Sequence, residues 1–85
     1  MNNIFKYPIY LDRVNYLYCG EILHFADQCG QLFVWAKTTP PQSRMVTLVG
    51  TGPSFDDTGK RHIGTAITME GSFVVHAFTD VDRPQ

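Results

Sequence analysis

Nowhere in the sequence do apolar residues recur at helical spacing over ten or more positions, so an amphipathic helix is excluded as the organising element. No apolar run approaches the roughly 20 residues that a helix needs to cross a bilayer, and no membrane partner is expected. Charge is scarce: 18% of residues are charged, and 7 Lys+Arg against 8 Asp+Glu leave a net charge of -1. A protein held to a nucleic-acid polymer by bulk charge would be basic, and a mimic of DNA would carry a long acidic face. Neither description fits. Cysteine is limited to Cys19 and Cys29, outside any Cys-x-x-Cys. They could pair in an oxidising compartment. Met1 to Tyr10 holds one cation and no secretion-type apolar stretch, so two reduced thiols and a cytoplasmic location are expected.

Sequence signatures of catalysis are missing as well. There is no P-loop and no Gly-x-Gly-x-x-Gly leading into a helix, and no Gly-x-Ser-x-Gly elbow. His24, His62 and His76 stand singly, without the His-x-x-x-His or His-x-His spacing of a zinc site. Asp56-Asp57 lacks the other carboxylates and the distant Glu of a calcium loop. The chain is expected not to be an enzyme and to need no cofactor or metal. His24 and His76 read as hydrogen-bonded, half-buried strand residues.

What the sequence does have is β-character. Of its 85 residues 44% are hydrophobic and 13% aromatic, a balance that folds rather than remaining disordered. Apolar residues alternate with polar ones in short runs divided by turn signals. Ile4 to Tyr10 contains Pro8 and suits an edge strand or a strand end. Val14 to Leu17, Ile22 to Gln28, Gln31 to Lys37, Arg44 to Val49, Ile63 to Met69 and Phe73 to Thr79 follow. Cys29-Gly30 and Glu70-Gly71 predict tight hairpins, and Pro40-Pro41 predicts a loop. An all-β fold is expected: a small antiparallel sandwich or partly open barrel of about six or seven short strands, one domain over residues 1–85 with a frayed tail at 80–85.

Two strands, Leu32 to Trp35 and Phe73 to Phe78, are apolar on both faces. A domain of this size buries only about 60–65% of its unfolded surface, so the second face calls for cover. A partner subunit, making a homodimer, and cover by a loop or the N-terminal strand are the options. Phe33, Trp35, Phe73 and Phe78 suit a core or a subunit interface. Tyr7, Tyr10, Tyr16 and Tyr18 crowd the N-terminal strands, where tyrosine favours interfaces and stacking, with edge-strand packing as the plain alternative.

Residues 50–64 are the segment that points to a ligand. Gly50-Thr51-Gly52 ends one strand, and the chain returns through Asp56-Asp57-Thr58-Gly59-Lys60-Arg61 to Ile63-Gly64-Thr65. Glycines let backbone N–H groups approach an anion. Thr51, Ser54 and Thr65 add hydroxyls, Lys60 and Arg61 add charge, Phe55 can stack on a base, and Asp56 or Asp57 can accept from a ribose. The alternative is a bulge and a long hairpin loop, for which glycine is equally suited.

Lys6-Tyr7-Pro8, Ile22-Leu23-His24 and the run Gln28 to Ala36 (Gln-Cys-Gly-Gln-Leu-Phe-Val-Trp-Ala) are followed by Val49-Gly-Thr-Gly52, Ile63-Gly-Thr65 and Gly71-Ser-Phe-Val-Val-His-Ala-Phe78. From about residue 6 to 78 this order resembles a domain of unknown function carried by small phage-encoded proteins. Pro53 stands where that family often has a histidine, so no role for that histidine carries over. The resemblance implies a compact phage accessory protein made inside a bacterium. Many such proteins counter host defence, some by trapping a nucleotide signal such as a cyclic nucleotide or an ADP-ribose derivative. The resulting expectation is a non-catalytic protein that sequesters a small phosphate-bearing ligand, with Gly50, Thr51, Gly52, Phe55, Arg61, Thr65 and Trp35 in the binding site. The alternative is an inhibitor that covers a host defence enzyme or effector complex, using an exposed sheet edge or the tyrosine-rich strands.

Overall fold

The computed structural model describes residues 2–52, 54–68, 71 and 73–81. They form seven strands: β1 (Ile4–Ile9), β2 (Asn15–Cys19), β3 (Ile22–Gln28), β4 (Gln31–Lys37), β5 (Gln42–Gly50), β6 (Lys60–Thr68) and β7 (Phe73–Asp80). One sheet has the order β1-β4-β3 and the other β2-β5-β7-β6, with every pairing antiparallel. The sheets do not close into a barrel, so the architecture is the small sandwich. Pro8 lies in β1, an edge strand, where its missing N–H costs no ladder bond.

The β3–β4 hairpin forms where Cys29-Gly30 predicts it. Both turn residues have positive φ, 54° at Cys29 and 84° at Gly30, between the paired Gln28 and Gln31. Two positive φ values define the type I′ turn, whose twist matches that of the strands. The Asp27 carboxylate accepts from the Gly30 N–H at 3.0 Å and braces the turn. Cysteine is a poor occupant of left-handed backbone, whereas asparagine tolerates it. Cys29→Asn should therefore stabilise the fold by about 0.5–1 kcal/mol. The urea midpoint reads this directly, and an unchanged or lower midpoint would remove backbone strain at Cys29 from the account.

Alternation places the core. In β4, Leu32, Val34 and Ala36 are buried while Gln31, Phe33, Trp35 and Lys37 face outward. In β7, Val75, Ala77 and Thr79 are buried. Between the sheets they meet Ile9, Cys19, Ile22, Phe25, Val46 and Ala66. The runs that are apolar on both faces therefore each give one face to the core. A register shift between Ile22 and His24 leaves Leu23 outside and turns Phe25 inward. There β3 lies against β6: a Cβ built on Gly64 would sit 3.2 Å from the Phe25 Cβ. The Thr68 hydroxyl donates to the Asp27 carboxylate at 2.6 Å across the same two strands, a short charge-assisted bond.

Two of the buried polar side chains, Asn15 and Arg44, bond to backbone. The Asn15 side chain accepts from the Tyr10 N–H at 2.8 Å and donates to the carbonyls of Tyr10 and Arg13, closing the β1–β2 turn. Arg44 is buried and donates from Nε to the Cys19 carbonyl at 3.3 Å. Burial pushes the Cys19 thiol up, against the opposing influence of Arg44. Cys19 is buried, Cys29 is exposed, and both are free thiols.

Strand ends differ from the sequence expectation where partners extend them. Cys19 pairs with Gln42, which starts β5 two residues before Arg44. Lys60 pairs with Asp80, so β6 begins before Ile63 and Asp80 belongs to β7 rather than to a frayed tail. The Val81 N–H donates to the Gly59 carbonyl at 3.0 Å, and residues 82–85 lie outside the described residues. The Glu70-Gly71 turn is described only at Gly71, where φ is 87°. Pro53 also lies outside the described residues.

Candidate functional site

On the outer face of β5-β7-β6 the register brings together side chains that are far apart in sequence. Thr65 pairs with His76 and His62 with Phe78, while Thr51 follows the last residue of β5. His62 and Thr65 are three residues apart and would face opposite ways in a regular strand. The register shift between His62 and Gly64 inserts one extra residue and turns both to the same face.

Four of these side chains form one hydrogen-bonded chain. Thr51 Oγ1 lies 2.9 Å from His76 Nε2, His76 Nδ1 lies 3.0 Å from Thr65 Oγ1, and Thr65 Oγ1 lies 3.1 Å from His62 Nε2. Both ring nitrogens of His76 are thus engaged by hydroxyls. Among the described residues no carboxylate is bonded to either imidazole, so the arrangement lacks the orienting acid of a nucleophilic triad.

Beside this chain is a small aromatic cluster. Phe55 folds back from the loop to lie 4.8 Å from Phe78, centroid to centroid, and the His62 and Phe78 rings form a T-shaped pair at 5.2 Å. The loop is braced internally. Asp56 Oδ1 accepts from the Thr58 N–H at 2.9 Å, and hydrogen bonding from Thr58 holds the Asp56 carboxyl below the usual carboxylate range. Lys60 Nζ donates to the Asp56 carbonyl at 3.0 Å. Further along the same face, a hollow of about 250 Å³ is lined by Tyr16, Ser43, Arg44, Met45 and Asp80. Among the described residues no group of three or more His, Cys, Asp or Glu is placed to hold a metal ion, and no helix is long and apolar enough to cross a membrane.

Of the residues expected to bind a ligand, Thr51, Phe55 and Thr65 come together here. Gly50 closes β5 and pairs with Val75, on the core side, and Gly52 is exposed with φ 110°. Arg61 pairs with Thr79 and so occupies the face opposite His62. Trp35 is on the outer face of the other sheet, 5.4 Å from His24 and 6.0 Å from Phe33. In that second cluster Lys6 Nζ sits 4.5 Å over the Phe33 ring and donates to Gln28 at 2.8 Å.

Residues 1–85 match the family described as Domain of unknown function (DUF7352). The chain belongs to that family. No curated protein and no solved structure matches it.

In this DUF7352 chain the residues that sequence reasoning left out of the site are His62, His76 and Phe78. Each stands alone in the sequence. The available signals were His76 and Phe78 at a spacing of two in a strand, and Gly64 inside another strand, which marks a bulge or a close approach.

Proposed function

We propose that this protein binds and retains a small nucleotide-derived ligand bearing phosphate, without transforming it. The Thr51–His76–Thr65–His62 chain set beside Phe55 and Phe78 carries the reading. Hydroxyls and imidazoles supply the few convergent polar groups that orient a small ligand, and the phenyl rings supply a surface on which a base can stack. Lys60 is the cation on the same face. In a bacterial host, a phage-type accessory protein of this kind would withdraw a nucleotide immune signal, such as a cyclic nucleotide or an ADP-ribose derivative, in the cytoplasm. A homodimer would cover the aromatic outer faces.

A thermal-shift screen against mono-, di- and cyclic nucleotides and ADP-ribose derivatives tests the reading. A ligand at a hundred times its Kd stabilises the folded state by about 2.7 kcal/mol, which is on the order of 10 °C or more for a chain near this length. One selective shift with the ligand recovered intact supports sequestration, and a flat panel defeats it.

A second reading rests on β2. It is an edge strand whose Tyr16 and Tyr18 are 75% and 70% exposed, a surface suited to strand addition or to aromatic anchoring on a partner. It makes the protein an inhibitor of a host defence enzyme or effector complex. A stoichiometric host protein recovered by pull-down, together with a flat nucleotide panel, would favour it.

A further inference from the structure

We propose that the His62–Thr65–His76 pair of imidazoles takes up one proton from water when an anion binds at this face. The inference rests on the ligand-binding reading and adds a rule for when the site holds its ligand.

Thr65 Oγ1 has one hydrogen and lies between His62 Nε2 and His76 Nδ1, at 3.1 and 3.0 Å. With neutral rings, either one nitrogen accepts from the hydroxyl and the other donates to it, or both donate to the two lone pairs of the oxygen and its hydrogen turns away. The choice then propagates. If His76 Nδ1–H alone donates to Thr65, then Thr65 donates to His62 Nε2, and His76 Nε2 accepts from Thr51. His62 Nδ1–H is then the outward donor, and the Thr51 hydrogen is used inside the chain. If His62 Nε2–H alone donates to Thr65, every bond reverses. His76 Nε2–H now donates to Thr51 across 2.9 Å, Thr51 turns its hydrogen outward, and His62 Nδ1 presents a lone pair. If both rings donate to Thr65, Thr51 donates to His76 Nε2 and both ends of the chain accept, so every neutral arrangement has an acceptor at one end or at both.

An oxyanion accepts and does not donate, so one end of the neutral chain always opposes it. One added proton, on either imidazole, removes the conflict. With His76 charged, both its N–H groups donate inward, Thr65 donates to His62, and Thr51 O–H and His62 Nδ1–H both point outward. With His62 charged, the two bonds at Thr65 reverse, His76 Nε2–H still donates to Thr51, and the outward pattern is the same. The protonated chain is all donor and carries a positive charge, and no bond to the ligand is made or broken. A second proton is opposed by repulsion between rings whose centroids are 6.4 Å apart.

The neighbouring charges lie at the loop end of the face. From β5 the face presents Thr47 and Val49, paired with Phe78 and His76. From β6 and β7 it presents Ile67 and Val74 at one end and the Lys60–Asp80 pair at the other. In the loop the Asp56 carboxylate is held by Thr58, with Asp57 next to it. Histidine is the side chain whose charge changes in the range around pH 5 to 8, so anion affinity should fall as pH rises through that range.

Sulfate is a suitable probe because its own charge is constant there. Titrations followed by histidine ¹⁵N and backbone amide shifts should show sulfate binding about tenfold more weakly at pH 8 than at pH 5.5, a factor equivalent to one pKa unit. Calorimetry in buffers of different ionisation enthalpy should count close to one proton taken up near neutral pH. Thr65→Val keeps both histidines and the strand but separates them, and should flatten the pH dependence. Thr65 is exposed on β6, so the fold is expected to survive. Wild-type sulfate affinity that is flat with pH overturns the inference and leaves the ligand reading standing. So does a Thr65→Val variant with the wild-type pH dependence. Absence of sulfate binding at every pH also overturns it, while the nucleotide panel judges the ligand reading separately.

Discussion

Phe25→Ala is expected to destabilise the protein by about 3–5 kcal/mol, the cost of deleting a buried phenyl ring from a core that cannot fully collapse around the gap. Phe25 is 3% exposed and sits where β3 meets β6, against the backbone of Gly64. The first sheet reaches the second along this line, with the Thr68–Asp27 bond at its end. At roughly 0.05–0.15 kcal/mol per residue, a chain of 85 residues has on the order of 4–13 kcal/mol in total. The substitution therefore removes a large share of the whole and leaves a substantial unfolded population at 37 °C. Urea unfolding followed through the single tryptophan, Trp35, measures it. A loss below about 1 kcal/mol would mean that the sheets are joined elsewhere.

His76→Ala should remove ligand-induced thermal stabilisation while leaving the melting temperature of the free protein nearly unchanged. His76 lies on the outer face of β7, so truncation opens no core cavity, yet it is the one residue bonded to both threonines. Hydrogen bonds involving a charged partner contribute about 1.5–3 kcal/mol each, which is roughly 10- to 150-fold in affinity. Arg61→Ala is the paired control. Arg61 occupies the opposite face, so binding at the His76 face should survive its loss. If Arg61→Ala abolishes the ligand shift and His76→Ala does not, the ligand lies on the other side of β6.

Much of the fold was legible in residues. Alternation in Gln31 to Lys37 and the turn at Cys29-Gly30 locate β3, β4 and their hairpin residue for residue, because both signals are local. Pro8 marks an edge strand because a residue without an N–H cannot sit between two neighbours. Strand ends were less legible. The early start of β6 and the inclusion of Asp80 in β7 depend on each other through the Lys60–Asp80 pairing, and pairing is not a local property.

The candidate site was legible by half. Thr51, Phe55 and Thr65 stand in a segment whose glycines and hydroxyls draw attention to it, and the fold gathers them. Arg61 looked equivalent to Lys60 in the sequence, but neighbouring residues of a strand point to opposite faces, so only one of the two can share the face of His62. Trp35 looked available to the loop, but a sandwich has two outer sides and β4 belongs to the other one.

The sequence by itself determined the β-class, the alternation that separates core from surface within each strand, the β3–β4 hairpin, and the absence of known catalytic and metal-binding spacings. These depend on residue type at short range. Only the tertiary structure decided that His62, Thr65, His76 and Thr51 form one chain. That depends on which strands are neighbours and on a single-residue bulge at His62–Gly64 that inverts the facing of every side chain beyond it.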